Sequence, residues 1–151
     1  MLSRYMGIGN AGELKAHLNQ IIAEYIDALQ QLFGVNLEGY LQLLNTYVDL
    51  IDNLITAQIE GNVDEINRIV RLLYQNADQR ASQIASLNPF WNENEWKNRL
   101  YSSIHGTINQ STTFLTGDYA SNSDTFMSLL DLAENTSSYY AHGLFNYLLS
   151  Q

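Results

Sequence analysis

Apolar residues recur every three or four positions along nearly the whole chain, the spacing that lines one face of an α-helix. The series Leu14, Leu18, Ile21, Tyr25, Ala28 and Leu32 advances by 4, 3, 4, 3 and 4. It predicts a first helix with those residues turned inward. Asn10 followed by Glu13 has capping-box spacing, and Gly34 stands where the helix should stop. A second helix follows from Leu37, Tyr40, Leu44, Tyr47, Ile51 and Leu54, with Leu41, Val48 and Ile55 widening its face.

The run EGNVDEI then packs a stop and a start into one tight turn. Gly61 supplies the left-handed conformation, Asn62 the cap, and Glu65 the residue that closes a capping box. Ile66, Val70, Leu73, Ala77, Ile84 and Leu87 define a third helix. Trp96, Leu100, Ile104, Ile108 and Leu115 define a fourth, closed by Gly117. After the connection TGDYASNSD, a fifth carries Phe126, Leu129, Leu130, Ala133, Tyr140, Leu144, Tyr147 and Leu148.

No period-two alternation and no Asn-Gly hairpin signal interrupts this pattern. The expected class is all-α: an up-and-down bundle of about five long antiparallel helices, each roughly 22–27 residues and roughly 33–40 Å long. Residues 1–9 read as a flexible leader, and residues 10–151 as a single helical-bundle domain. A chain of 151 residues is large enough to bury its own core.

The stretch LNPFWNENEWKNRLY, residues 87–101, holds the only proline and both tryptophans. Paired tryptophans suit a ligand-stacking platform or a device for starting a helix. With Asn92 as N-cap, Glu95 falls at N3 and completes a capping box. Trp91 and Trp96 then fall at N′ and N4, the two positions of a hydrophobic staple. Pro89 marks the break before it. The pattern therefore favours the helix-starting device.

Composition narrows the function classes. A net charge of −9 with seven scattered basic residues argues against nucleic acid and anionic membranes. No apolar run reaches the ~20 residues of a membrane span, and the first residues lack the apolar core of a signal peptide. Cysteine is absent, which fits a reducing compartment, and a cytoplasmic location is expected. Charged residues make up 15%, against the usual ~25%. Such a weakly repulsive surface tolerates self-association, and Ile59, Leu72 and Leu132 are expected on outer faces as a homodimer contact.

Candidate chemistry is sparse. The Glu-x-x-His pairs of metal-holding bundles are absent. The three histidines, His17, His105 and His142, each lie beside an inward position, and they are the metal candidates if there is one. The acid pairs Asp49/Asp52, Asp64/Glu65 and Asp131/Glu134 point outward or sit in first turns, where they complement the helix dipole. GIGNAG follows no strand and is no phosphate cradle, and no serine occupies a nucleophile elbow.

Arg80 extrapolates to the inward face of the third helix near Tyr74 and Asp78, where it needs an acceptor or must run to the rim. Five of the ten tyrosines, Tyr25, Tyr40, Tyr47, Tyr140 and Tyr147, fall on core faces. Tyr139 and Tyr140 lie about 100° apart on one helix, so both turn inward only if that side has two neighbours.

From Leu37 onward the chain resembles a family of uncharacterised all-helical proteins of Bacillus-like and other soil bacteria. The resemblance rests on YQNADQRASQIASLNPFWNENEWKNRLY, TGDYAS and YYAHGLFNYL. It covers roughly 110 residues, with a weaker match over the first helix and a connection shortened to GVNLEG. It implies the helical fold and no established activity. The label acetylglutamate kinase that circulates for some members finds no support in this composition. The family pattern implies histidines near the middle of three helices, where this chain has Ile21, Tyr47 and Ser103.

The expected function is a non-enzymatic binding or interaction module: self-association, a protein partner, or a small apolar ligand held between helices, with no cofactor. The alternative is a metal- or cofactor-holding bundle of ferritin-like type using His17, His105 or His142 with nearby acids.

Overall fold

The computed structural model describes residues 11–151. The expected leader (residues 1–9), the Asn10 cap and most of GIGNAG lie outside the described residues. The chain is all-α, with five helices and no strand among the described residues. They are α1 (Ala11–Phe33), α2 (Glu38–Glu60), α3 (Val63–Ser86), α4 (Glu93–Leu115) and α5 (Tyr119–Leu149). Contacts gather the chain into two compact units, Met1–Asn76 and Ala77–Gln151, with the boundary inside α3.

In the first unit α1 and α2 pack together. The Gln30 side chain accepts a hydrogen bond from the Leu37 amide at 2.8 Å, and Lys15 pairs with Asp49 at 2.6 Å. The chain then reverses at Gly61, whose φ of 69° is left-handed. There the amides of Gly61 and Asn62 donate back to Gln58 and Ala57. The buried Asn76 side chain donates to the Leu43 carbonyl at 2.9 Å, crossing from α3 to α2. Ile26, Leu29, Tyr40, Leu54, Ile69 and Leu73 are buried.

The inward face of α1 differs from the expected one by a single position. Ile22, Ile26, Leu29 and Phe33 turn inward, whereas Leu14, Leu18, Ile21 and Leu32 are 37–55% exposed. Two apolar series of 4-3 spacing run side by side on this helix. Periodicity alone does not choose between them, and the contact with α2 does.

In the second unit the remainder of α3, with α4 and α5, forms the body. Tyr101 of α4 donates its hydroxyl to Asp78 of α3 at 2.7 Å, and Lys97 approaches the same carboxylate at 3.4 Å. Gly117 turns the chain with a φ of 75°. Asp118 then caps α5, accepting from the Ser121 amide at 3.1 Å, so α5 begins at Tyr119. The stretch expected as a connection up to Asp124 is therefore mostly helix. Asp118 and the Asn122 side chain, which donates to the Gln110 carbonyl at 2.6 Å, fasten that first turn. At 31 residues α5 exceeds the expected length.

Candidate functional site

Three features of this chain have the makings of a site: the aromatic corner, the surface histidines and acids, and a cleft between α4 and α5.

The corner is built from the turn that precedes α4. Asn88 is completely buried, and its side-chain oxygen accepts from the Phe90 amide at 2.9 Å. Its carbonyl accepts from the Trp91 amide at 3.0 Å. Pro89 holds the residue before it in extended geometry, so the corner is stiff. Asn92 is the N-cap of α4 and accepts from the Glu95 amide at 3.1 Å.

Trp91 and Trp96 meet edge to face with ring centroids 5.7 Å apart, the contact of a staple. Tyr140 stacks on Trp91 at 5.0 Å, and Tyr139 meets Trp96 at 5.3 Å. The two neighbours that adjacent tyrosines require are thus both supplied by the start of α4. Both indoles are about 5% exposed or less, which leaves no ring face for a stacked ligand.

The capping box expected here is half formed. The Asn92 amide donates to the Tyr139 hydroxyl at 2.7 Å, and the Glu95 carboxylate turns to Arg99 at 2.6 Å. The same substitution occurs at the start of α3. Asn62 accepts from the Glu65 amide, but its own amide is taken by Ala57 of the preceding helix, and Glu65 holds Arg68 through both oxygens. That pairing lowers the Glu65 pKa and raises that of Arg68. In each case an acceptor distant in sequence or belonging to the previous helix reaches the cap amide first.

The three histidines are exposed. His142 places Nδ1 2.9 Å from the Ser138 carbonyl of its own helix. In the second unit the α4–α5 register is marked by Gly106 against Leu129 and by Trp91 against Gly143. His105 thus sits level with Leu129 and His142 level with Trp91, about 20 Å apart along the helices at 1.5 Å per residue. The structure does not bring these two together. Among the described residues no group of three His, Cys, Asp or Glu could hold a metal ion. Asp49, Asp64, Asp131 and Glu134 are exposed; Asp52 and Glu65 are half-buried. Arg80 is buried at 5% exposure, so it turns inward and does not run to the rim.

Of the residues expected on outer faces, only Ile59 is exposed, at 51%. Leu72 is half-buried, and Leu132 is half-buried in the wall of the cleft. At the positions where the family pattern implies histidines, Ile21 is exposed, Tyr47 half-buried and Ser103 part of that same cleft.

The cleft has a volume of about 290 Å³. Two pinch points bound it: Trp96 against Tyr139 toward one end, and Gly106 against Leu129 toward the other. A Cβ on Gly106 would lie 2.6 Å from Leu129 Cδ2, so the leucine tip sits directly over the glycine backbone. Between the pinch points the facing side chains include Ser103, Ala133, Thr136 and Ser137, which are too short to fill the gap. Leu100 and Leu132 supply apolar wall, and Arg99 lines the cleft while its guanidinium lies 4.6 Å from the Tyr139 ring centroid. Ser103 was marked only by the family pattern and Gly106 by nothing in the sequence, because small residues on a helix carry no pattern of their own.

No helix of the described residues is long and apolar enough to cross a membrane. Comparison with protein-family models, with curated proteins and with solved structures finds no match.

Proposed function

We propose that this chain is a non-enzymatic interaction module that associates with a second copy of itself through the outward apolar stripe of α1. The observation that carries this reading is the exposure of Leu14 (55%), Leu18 (41%) and Ile21 (49%) at successive helical intervals, with Leu32 (37%) three turns further along the same face. Isolated exposed leucines are ordinary, whereas a row of them at partner-helix spacing is the geometry of a helix–helix seam. A second copy is the occupant we choose because it brings an identical stripe, needs no charged counterpart, and meets a surface low in charge. The lack of cysteine is in keeping with a cytoplasmic setting.

Magnitudes set the expected strength. Burying a Leu or Ile completely is worth about 1.5–3 kcal/mol, and half-covered side chains add about 1 kcal/mol each. Four from each copy supply about 8 kcal/mol, against about 4–15 kcal/mol for lost freedom on association. At the low end of that cost about 4 kcal/mol remains, so the dimer should be weak and concentration-dependent, dissociating at about 1 mM or above.

Sedimentation equilibrium from about 0.1 mM to about 3 mM tests this, since that span straddles a dissociation constant of about 1 mM. The weight-average mass should rise above 17.2 kDa with concentration. The double variant Leu18→Asp/Ile21→Asp should remain monomeric with an unchanged circular dichroism spectrum. A strict monomer throughout the range would refute the proposal.

A further inference from the structure

The cleft between α4 and α5 offers hydrogen-bond donors as well as an apolar wall. The Ser137 hydroxyl is engaged with the Ala133 carbonyl at 2.8 Å, but those of Ser103 and Thr136 make no hydrogen bond among the described residues. Arg99 gives Nη2 to Glu95, and its Nε is buried away from the open cleft. Leu100, Leu129 and Leu132 provide the apolar contact.

Charge decides the class of molecule. Glu95 lies 2.6 Å from Arg99 and neutralises it locally, and the chain as a whole carries −9. With Arg99 already paired and no acid in the lining, the cleft offers neither an anion nor a cation a free counter-charge, so a charged molecule would lose hydration without return. From this we propose that the cleft binds a small uncharged molecule with an apolar body and one acceptor oxygen, of the ketone, ester or amide class. The hydroxyls of Ser103 and Thr136 are its donors. At about 290 Å³ the cleft is at the small end of ligand sites, and it suits a molecule of a single ring or a short chain. The site is separate from the α1 stripe and does not depend on self-association.

The test uses heptan-2-one as probe, with sodium heptanoate as its charged counterpart, titrated into the isotope-labelled full chain and followed by NMR. Heptan-2-one should give saturable shifts at Ser103, Thr136 and the Leu132 methyls, with dissociation in the millimolar range expected of so few atoms. Heptanoate should bind at least about tenfold more weakly. Ala133→Phe, a change at an exposed position that fills the cleft, should abolish the response with an unchanged circular dichroism spectrum. Ser103→Ala/Thr136→Val should weaken heptan-2-one binding by about tenfold. The proposal is overturned if heptan-2-one gives no saturable shifts, if heptanoate binds as tightly, or if the response survives Ala133→Phe.

Discussion

The Trp91 indole lies against the backbone of Gly143 so closely that a Cβ on Gly143 would fall 1.9 Å from Nε1 and 2.4 Å from Cδ1. Buried on its other sides by Trp96 and Tyr140, the ring has nowhere to retreat. Gly143→Ala gains about 1 kcal/mol of helix propensity, but forcing a methyl into a packed core costs typically about 1–3 kcal/mol and occasionally more. Given so short an approach the clash should win, with a net loss of about 2 kcal/mol in urea denaturation. Gly106→Ala is the control: its obstacle is the tip of the Leu129 side chain, which can turn into the cleft, so its effect should be near zero.

The start of α4 makes a second prediction. Because the Tyr139 hydroxyl and not Glu95 receives the Asn92 amide, Tyr139→Phe should cost about 0.5–1.5 kcal/mol. Glu95→Ala removes only an ion pair on the helix surface and should cost about 0.3–0.5 kcal/mol. A complete capping box would reverse that order, so thermal melts of the two variants side by side decide between them.

Asn88 supplies a third. Its oxygen holds the Phe90 amide while its buried Nδ2 has no acceptor among the described residues. Asn88→Ala loses the first and relieves the second, for a net cost of about 1 kcal/mol. Asn88→Asp keeps the acceptor but buries a carboxylate, and should cost about 3–5 kcal/mol at neutral pH. The gap between the two variants, read from denaturation midpoints, should narrow as pH falls and the carboxyl takes up a proton.

Acid sensitivity offers a fourth. Hydrogen bonds from the Ser121 hydroxyl and amide hold the Asp118 pKa below its ordinary 3.8. A depressed carboxyl adds stability above the unfolded-state value, and that contribution is lost as pH drops through the folded one. The loss therefore belongs below about pH 4. Asparagine caps as well as aspartate. Asp118→Asn should leave the neutral-pH midpoint nearly unchanged and flatten the decline between about pH 4 and pH 2.

What could be read from the sequence was decided by range. The helices, their glycine stops at residues 34, 61 and 117, and the tryptophan staple follow from residues within a few positions of each other, and each is present. The inward face of α1 was displaced by one position because two apolar series compete there, and only α2 selects between them. The two capping boxes within the described residues are half formed because the cap amides answer to Ala57 and to Tyr139, the latter 47 residues away. The cleft was illegible for a related reason. Ser103, Ala133 and Gly106 are small residues whose meaning arises only when two helices face each other.

The bond from the Asn92 amide to Tyr139 ties the first turn of α4 to the presence of α5. Without that helix alongside, the leading amide of α4 would have only water to bond. A chain ending before Tyr139 should therefore show rapid hydrogen exchange at Asn92, and protection there should appear only once α5 has docked.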